Sequence, residues 1–187
     1  MSSAFRHDLL RWVAPGEMAD ASALTARTVL RLLWQHLPVR ATALFRLACW
    51  FKRRRIPFFP GALQRLNFGL FGIEIPSGAE IGGGLYIAHP VGTVIAPRRI
   101  GRNCSIIAAV TIGMRTEREF PDIGDDVFIG AGARVLGGIR IGDRAIIGAN
   151  AVVIQDVPDG ATAVGVPARI IPARQALDLD GSEPGEE

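Results

Sequence analysis

From Ile75 to Val153 aliphatic residues recur in runs whose step is six. They fall at Ile75, Ile81 and Ile87, at Ile100, Ile106 and Ile112, and then at Ile123, Ile129, Val135, Ile141, Ile147 and Val153. Glycine follows at Gly82, Gly101, Gly113, Gly124, Gly130, Gly142 and Gly148, and a small or apolar residue precedes most repeats by two places, as at Cys104, Val127 and Ala145. A period of six is neither the 3.6 of an α-helix nor the alternation of an ordinary strand. It is the signature of a solenoid, the hexapeptide repeat of a parallel β-helix. Three hexapeptides close one triangular turn, with the aliphatic side chains stacked inside and ladders between coils satisfying the backbone. The glycines are expected to supply corner conformations. The repeats predict about four to five coils.

The period fails in two places. One extra residue intervenes before Val94 begins the next hexapeptide, and eleven residues separate Ile112 from Ile123. The second failure predicts an excursion loop from Arg115 to Pro121. Beyond Val153 the repeat decays through Pro158-Asp159-Gly160 and Val164-Gly165-Val166-Pro167, as a cap on the stack would.

Ahead of the repeats the spacing is helical. Helices are expected from Ala21 to His36, with Ser22 or Thr25 as N-cap and Pro38 as terminator, from Val39 to Lys52, and from Ala62 to Phe71. Residues 1 to about 20 show no clear period and are expected to be loosely ordered. The reading divides the chain into a helical segment (1–72), a β-helix (73–172) and a disordered acidic tail (173–187).

Composition narrows the function classes. The net charge of +3 is too mild to argue for nucleic acid. Cys49 and Cys104 lack disulfide or metal spacing, and Cys104 takes a small inward slot. The N-terminus lacks a signal-peptide core, so a soluble, cytoplasmic protein is expected. The run Lys52-Arg53-Arg54-Arg55 before Ile56-Pro57-Phe58-Phe59-Pro60 has two readings. The cations complement a helix C-terminus, or they meet an anionic membrane surface with Phe58 and Phe59 as apolar contacts.

The order of motifs is specific. GIEIPSGAEIGGGLYIAHPVGTVI, a loop after VTIG, IGAGARVLGGIRIGDRAIIGANAVV and GVPARII together resemble the serine O-acetyltransferase family of hexapeptide-repeat acyltransferases, and the upstream ALFRLACWF is similar to the helix before the coils in that family. The resemblance covers about residues 40 to 172. It implies a left-handed β-helix and a CoA-dependent O-acetyltransferase using acetyl-CoA as co-substrate, with no metal. Active sites would lie between subunits of a homotrimer, since the helical segment is shorter than the family's.

Transfer of an acetyl group from a thioester to a hydroxyl needs a base and donors for the oxyanion. Of His7, His36 and His89, only His89 lies in the repeats, and it matches the family's catalytic base. Glu74, fifteen residues earlier, matches the carboxylate that orients it. Gly113 matches the thioester site, Ala131 and Ala149 the backbone edge that holds the pantetheine arm, and Arg169 is placed for a CoA phosphate. Where the family has an Arg-His clamp for the serine carboxylate, this chain has Glu119 and Phe120, and Ala88 replaces an acidic residue before the base. Arg118 and Phe120 are then the candidate acceptor contacts. L-serine is the leading acceptor, and a sugar hydroxyl of polysaccharide biosynthesis is the alternative. The C-terminal Ile through which family members bind the cysteine-making sulfhydrylase is replaced by Glu187, so no such complex is expected.

Overall fold

The computed structural model describes residues 2–13, 24–116 and 118–173. Four helices come first: α1 (Ser3–Leu10), α2 (Ala26–Gln35), α3 (Leu37–Arg53) and α4 (Phe59–Phe71). Short strands then wind into a prism with three faces. One face holds β1 (Ile73–Glu74), β4 (Thr93–Ile95), β7 (Thr111–Gly113), β10 (Arg134–Leu136) and β13 (Val152–Val153). A second holds β2 (Glu80–Ile81), β5 (Arg99–Ile100), β8 (Asp122–Ile123) and β11 (Arg140–Ile141). The third holds β3 (Tyr86–His89), β6 (Ser105–Ala108), β9 (Phe128–Ile129), β12 (Ile146–Ile147), β14 (Thr162–Val164) and β15 (Arg169–Ile171). The chain visits the five-, four- and six-stranded faces in rotation. All neighbours pair in parallel except the closing β14–β15 pair, which is antiparallel and ends the stack.

Register follows the aliphatic column. Ile87, Ile106, Ile129, Ile147 and Ala163 stand opposite one another across five coils, each fully buried. Each large member contributes about 1.5–3 kcal/mol through burial. The regular coil is eighteen residues, as from Ile123 to Ile141. The coil holding the excursion loop takes twenty-three, from Ile106 to Ile129.

Two sequence expectations about the coils are corrected. In β4 the inward residues are Thr93 and Ile95, both fully buried, and not Val94. The Pro90-Val91-Gly92 turn consumes the extra length, which shifts the phase by one and turns Val94 outward. The repeat glycines are also not the residues that supply the unusual corner conformations. A Cβ on Gly101 would meet Gly124 O at 2.5 Å, and one on Gly130 would meet Ala149 N at 2.6 Å. All of them but Gly113 are required because successive coils approach closely there. Positive φ falls instead on Asn103, Ala109, Asp126, Arg144 and Asn150, of which Asn and Asp tolerate it best, and on glycines outside the repeat positions such as Gly84 and Gly132.

The helices begin and end differently from the periodicity. Thr25 caps α2 by accepting from Thr28 N–H (3.2 Å). Pro38 does not terminate that helix but lies in the first turn of α3, where its missing N–H costs nothing. The expectation that residues 1 to about 20 are loosely ordered fails for α1. Its Leu9 is buried with Leu32 and Val39, and its Asp8 is 2% exposed. The Asp8 carboxylate accepts from Arg46 Nε (2.7 Å) and from the N–H groups of Gly84 (2.9 Å) and Leu85 (2.8 Å), while Arg46 Nη1 donates to Ile81 O (2.7 Å). These partners lie 35 to 77 residues apart, so no local pattern announces them. The pair fastens α1 and α3 to the first coil, and Ala41, Phe45 and Cys49 of α3 join the solenoid's core. The acidic tail from residue 174 and the remainder of the N-terminal expectation, residues 14–23, lie outside the described residues.

Candidate active site

His89 ends β3 at the edge where the six-stranded face turns into the five-stranded one, and its side chain is exposed. The same edge in later coils carries Ala108, opposite His89 in register, then Ala131 and Ala149. The coils are tied along it by Gly132 N–H to Ala108 O (2.7 Å) and Asn150 N–H to Ala131 O (2.8 Å). Arg169 stands opposite Val164, where β14 reaches this edge, and is exposed. Four of the sequence candidates therefore share one edge of the prism. With parallel strands about 4.8 Å apart, the four coil steps from His89 to Val164 span about 19 Å.

Glu74 lies on the five-stranded face opposite Val94, one coil before β4. The Pro90-Val91-Gly92 turn that follows His89 rests on the residue preceding β1, with Gly92 N–H donating to Gly72 O (2.9 Å). Glu74 and His89 thus flank one turn on adjacent coils, both exposed and without a hydrogen bond between their side chains. Thr93, fully buried beneath the turn, donates from its hydroxyl to His89 O (3.3 Å) and holds the backbone of that residue.

The remaining candidates lie at a different edge. Gly113 ends β7 where the five-stranded face turns into the four-stranded one, opposite Leu136, and space is open where its Cβ would be. The excursion loop leaves from this edge. Arg118 and half-buried Phe120 line a groove of about 860 Å³ with Arg98, Arg99, Arg140 and Asp156. One chain does not bring Arg118 or Phe120 to His89.

Arg134, which sequence reasoning did not single out, lies on the five-stranded face next to the His89 edge. Its Nη1 donates to Ala109 O (2.6 Å) and Gly132 O (3.0 Å). An arginine at an outward position in the repeat IGAGAR gives no signal of this in the sequence, because the carbonyls it ties belong to corner residues of two coils. His7 packs beside Gly83, and His36 stacks near Trp12 at the start of α3, so the three histidines stand apart. Cys104 is buried, its thiol donates to Gly124 O (3.2 Å), and burial pushes its pKa up to about 11, so it is no nucleophile.

Residues 120–155 match the family model for the bacterial transferase hexapeptide (six repeats). Over 150 residues, 78% of this chain, it is 39% identical to the serine acetyltransferase of Synechococcus elongatus and 42% identical to that of Helicobacter pylori strain J99. The matched region covers 62% of the first relative and 88% of the second. The chain belongs to the serine acetyltransferase family. Solved members of the family share its fold: soybean serine acetyltransferase complexed with serine superposes at a TM-score of 0.76 with 34% identity, covering 90% of this chain and 68% of that one. A serine acetyltransferase in complex with CoA superposes at 0.74 with 31% identity, over 90% and 68% of the two chains.

Proposed function

We propose that this chain is an acetyl-CoA-dependent O-acetyltransferase acting on L-serine, with His89 as the general base. The observation that carries the reading is the edge itself. It sets an exposed imidazole at one end of a row of small residues and a cationic side chain at the other, in a chain 42% identical to a serine acetyltransferase over 88% of that enzyme's length. Five strand steps of about 4.8 Å separate β3 from β15, so the two ends lie about 24 Å apart, a span for CoA extended from its thiol to its nucleotide phosphates.

In this reading the pantetheine arm lies along Ala131 and Ala149, and Arg169 meets a phosphate of the nucleotide end. His89 takes the proton of the serine hydroxyl as its oxygen bonds to the thioester carbonyl carbon. The tetrahedral oxyanion collapses, the C–S bond breaks, and the imidazolium returns the proton to the departing CoA thiolate. Glu74 orients the ring from the neighbouring coil. Arg134 braces the turns on which the arm rests.

Gly113, Arg118 and Phe120 belong to the same site when they come from a second subunit. The base and the excursion loop lie on different edges of one prism, so a homotrimer with sites between subunits completes the constellation. Arg118 then supplies a guanidinium for the serine carboxylate, in the region where the residues that resemblance aligns with the family's clamp are Glu119 and Phe120.

The test is CoA release from acetyl-CoA, compared for L-serine and a panel of sugars and nucleotide sugars. Saturable turnover with L-serine is expected. Turnover confined to a sugar would replace serine as the acceptor while leaving His89 in its role, and hydrolysis without an acceptor preference would remove both.

A further inference from the structure

From Leu24 to Gly72 the chain carries nine Arg or Lys and no Asp or Glu. A molecule with a net charge of only +3 thus concentrates its cations in the helices that precede the coils. The same stretch holds ten of the sixteen large apolar side chains exposed among the described residues. Neither property serves the reaction at the His89 edge.

The two properties meet at the junction of α3 and α4. The Arg54 guanidinium lies over the Trp50 ring (4.8 Å), Trp50 meets Phe51 edge-on (4.9 Å), and Phe51 stacks on Phe59 (4.6 Å). These contacts form one continuous aromatic ridge across the two helices. At its end Phe58 is 88% exposed. The apex Ile56-Pro57-Phe58-Phe59-Pro60 contains no polar side chain, and Lys52, Arg53, Arg54 and Arg55 beside it are all exposed.

The backbone that presents Phe58 is strained. Its φ of 68° and ψ of −48°, with Phe59 N–H donating to Pro57 O (2.8 Å), make it the centre of a γ-turn of the rare, positive-φ form. A bulky ring in that conformation gains nothing for packing when it points into water. Strain kept at an exposed aromatic points to a contact outside the chain.

We propose that this apex docks the protein on an anionic lipid bilayer surface, with Phe58 and Phe59 entering the headgroup–acyl boundary and the four cations neutralising lipid phosphates. An apolar wedge ringed by cations matches both layers of that boundary. A second copy meeting the same face would set four cations against four with no carboxylate between them. Nucleic acid would leave the proline-flanked apex without the polar partners that base edges and phosphates need.

Flotation of the full chain with phosphatidylcholine vesicles, and with vesicles mixed with phosphatidylglycerol, tests this. Partition onto the anionic vesicles alone is expected, reversed by salt. R53Q/R54Q/R55Q should weaken it on the order of a hundredfold. Phe58→Gly should weaken it about tenfold, yet leave the melting temperature unchanged or higher because glycine adopts positive φ without strain. Both variants should keep wild-type acetyl transfer in solution. Equal partition onto both vesicle types, no partition at low salt, or partition unchanged by either variant would overturn the proposal. So would a change in oligomeric mass caused by Phe58→Gly, or binding to duplex nucleic acid in place of anionic vesicles.

Discussion

His89 and Glu74 are single side chains at the end of one strand and within another, and each can be removed without touching the aliphatic column. His89→Ala is expected to lower kcat by about a hundred- to ten-thousand-fold with an unchanged melting curve. Glu74→Gln should cost less, and the double variant should be no slower than His89→Ala, because an orienting carboxylate has nothing left to orient. Steady-state CoA release measures all three. Asp8 and Arg46 are the opposite case, two charges whose effect is structural. Burial raises the Asp8 pKa, while the Arg46 guanidinium and the Leu85 and Gly84 amides pull it down. Arg46→Met leaves that carboxylate buried and unpaired and should cost about 3–5 kcal/mol in urea unfolding. Asp8→Leu combined with Arg46→Met should recover much of the loss.

Within a coil the stabilising elements are the close approach of backbones and a ladder of aspartates. Gly101→Ala puts a methyl against Gly124 O and is expected to destabilise by about 1–3 kcal/mol, whereas Asn103→Gly, at a φ of 57°, should be nearly silent. Thermal melts of the two variants separate close approach from corner conformation. In the ladder, Asp125 Oδ1 accepts from Arg102 N–H (2.8 Å), Asp143 Oδ1 from Asp125 N–H (2.8 Å) and Asp159 Oδ1 from Asp143 N–H (3.1 Å). The amide of Arg102 and then its guanidinium hold the Asp125 carboxyl below its ordinary value. A depressed carboxylate contributes stability that is complete above the unfolded value of about 4 and is lost as pH falls through the folded one. Unfolding measured down the acid range should therefore be steeper for the wild type than for Asp125→Ala.

At the scale of the whole molecule, the distribution of site residues over two edges has a direct consequence. If the base and the loop act across a subunit boundary, His89→Ala and Arg118→Ala chains mixed in one trimer should show more activity than either variant alone, since some interfaces pair an intact base with an intact loop. Light scattering for the mass and CoA release for the activity check this together. Mixed chains no more active than the parents would place the whole site within one subunit.

The repeat legible from Ile75 to Val153 determined the solenoid, its inward column and the site of the excursion loop, because a six-residue period is a local property that each hexapeptide carries in its own residues. His89, Ala131 and Ala149 could be selected from motifs for the same reason. The tertiary structure alone decided that those three share an edge with Arg169, since adjacency there joins residues a coil or more apart. It also decided the order of α1, which rests on Asp8 reaching Arg46 and the first coil, and the inward turn of Ile95 in place of Val94. Each depends on a partner or a turn length far from the residue itself. A periodicity read along the chain registers the face that a residue presents, but not what stands opposite it.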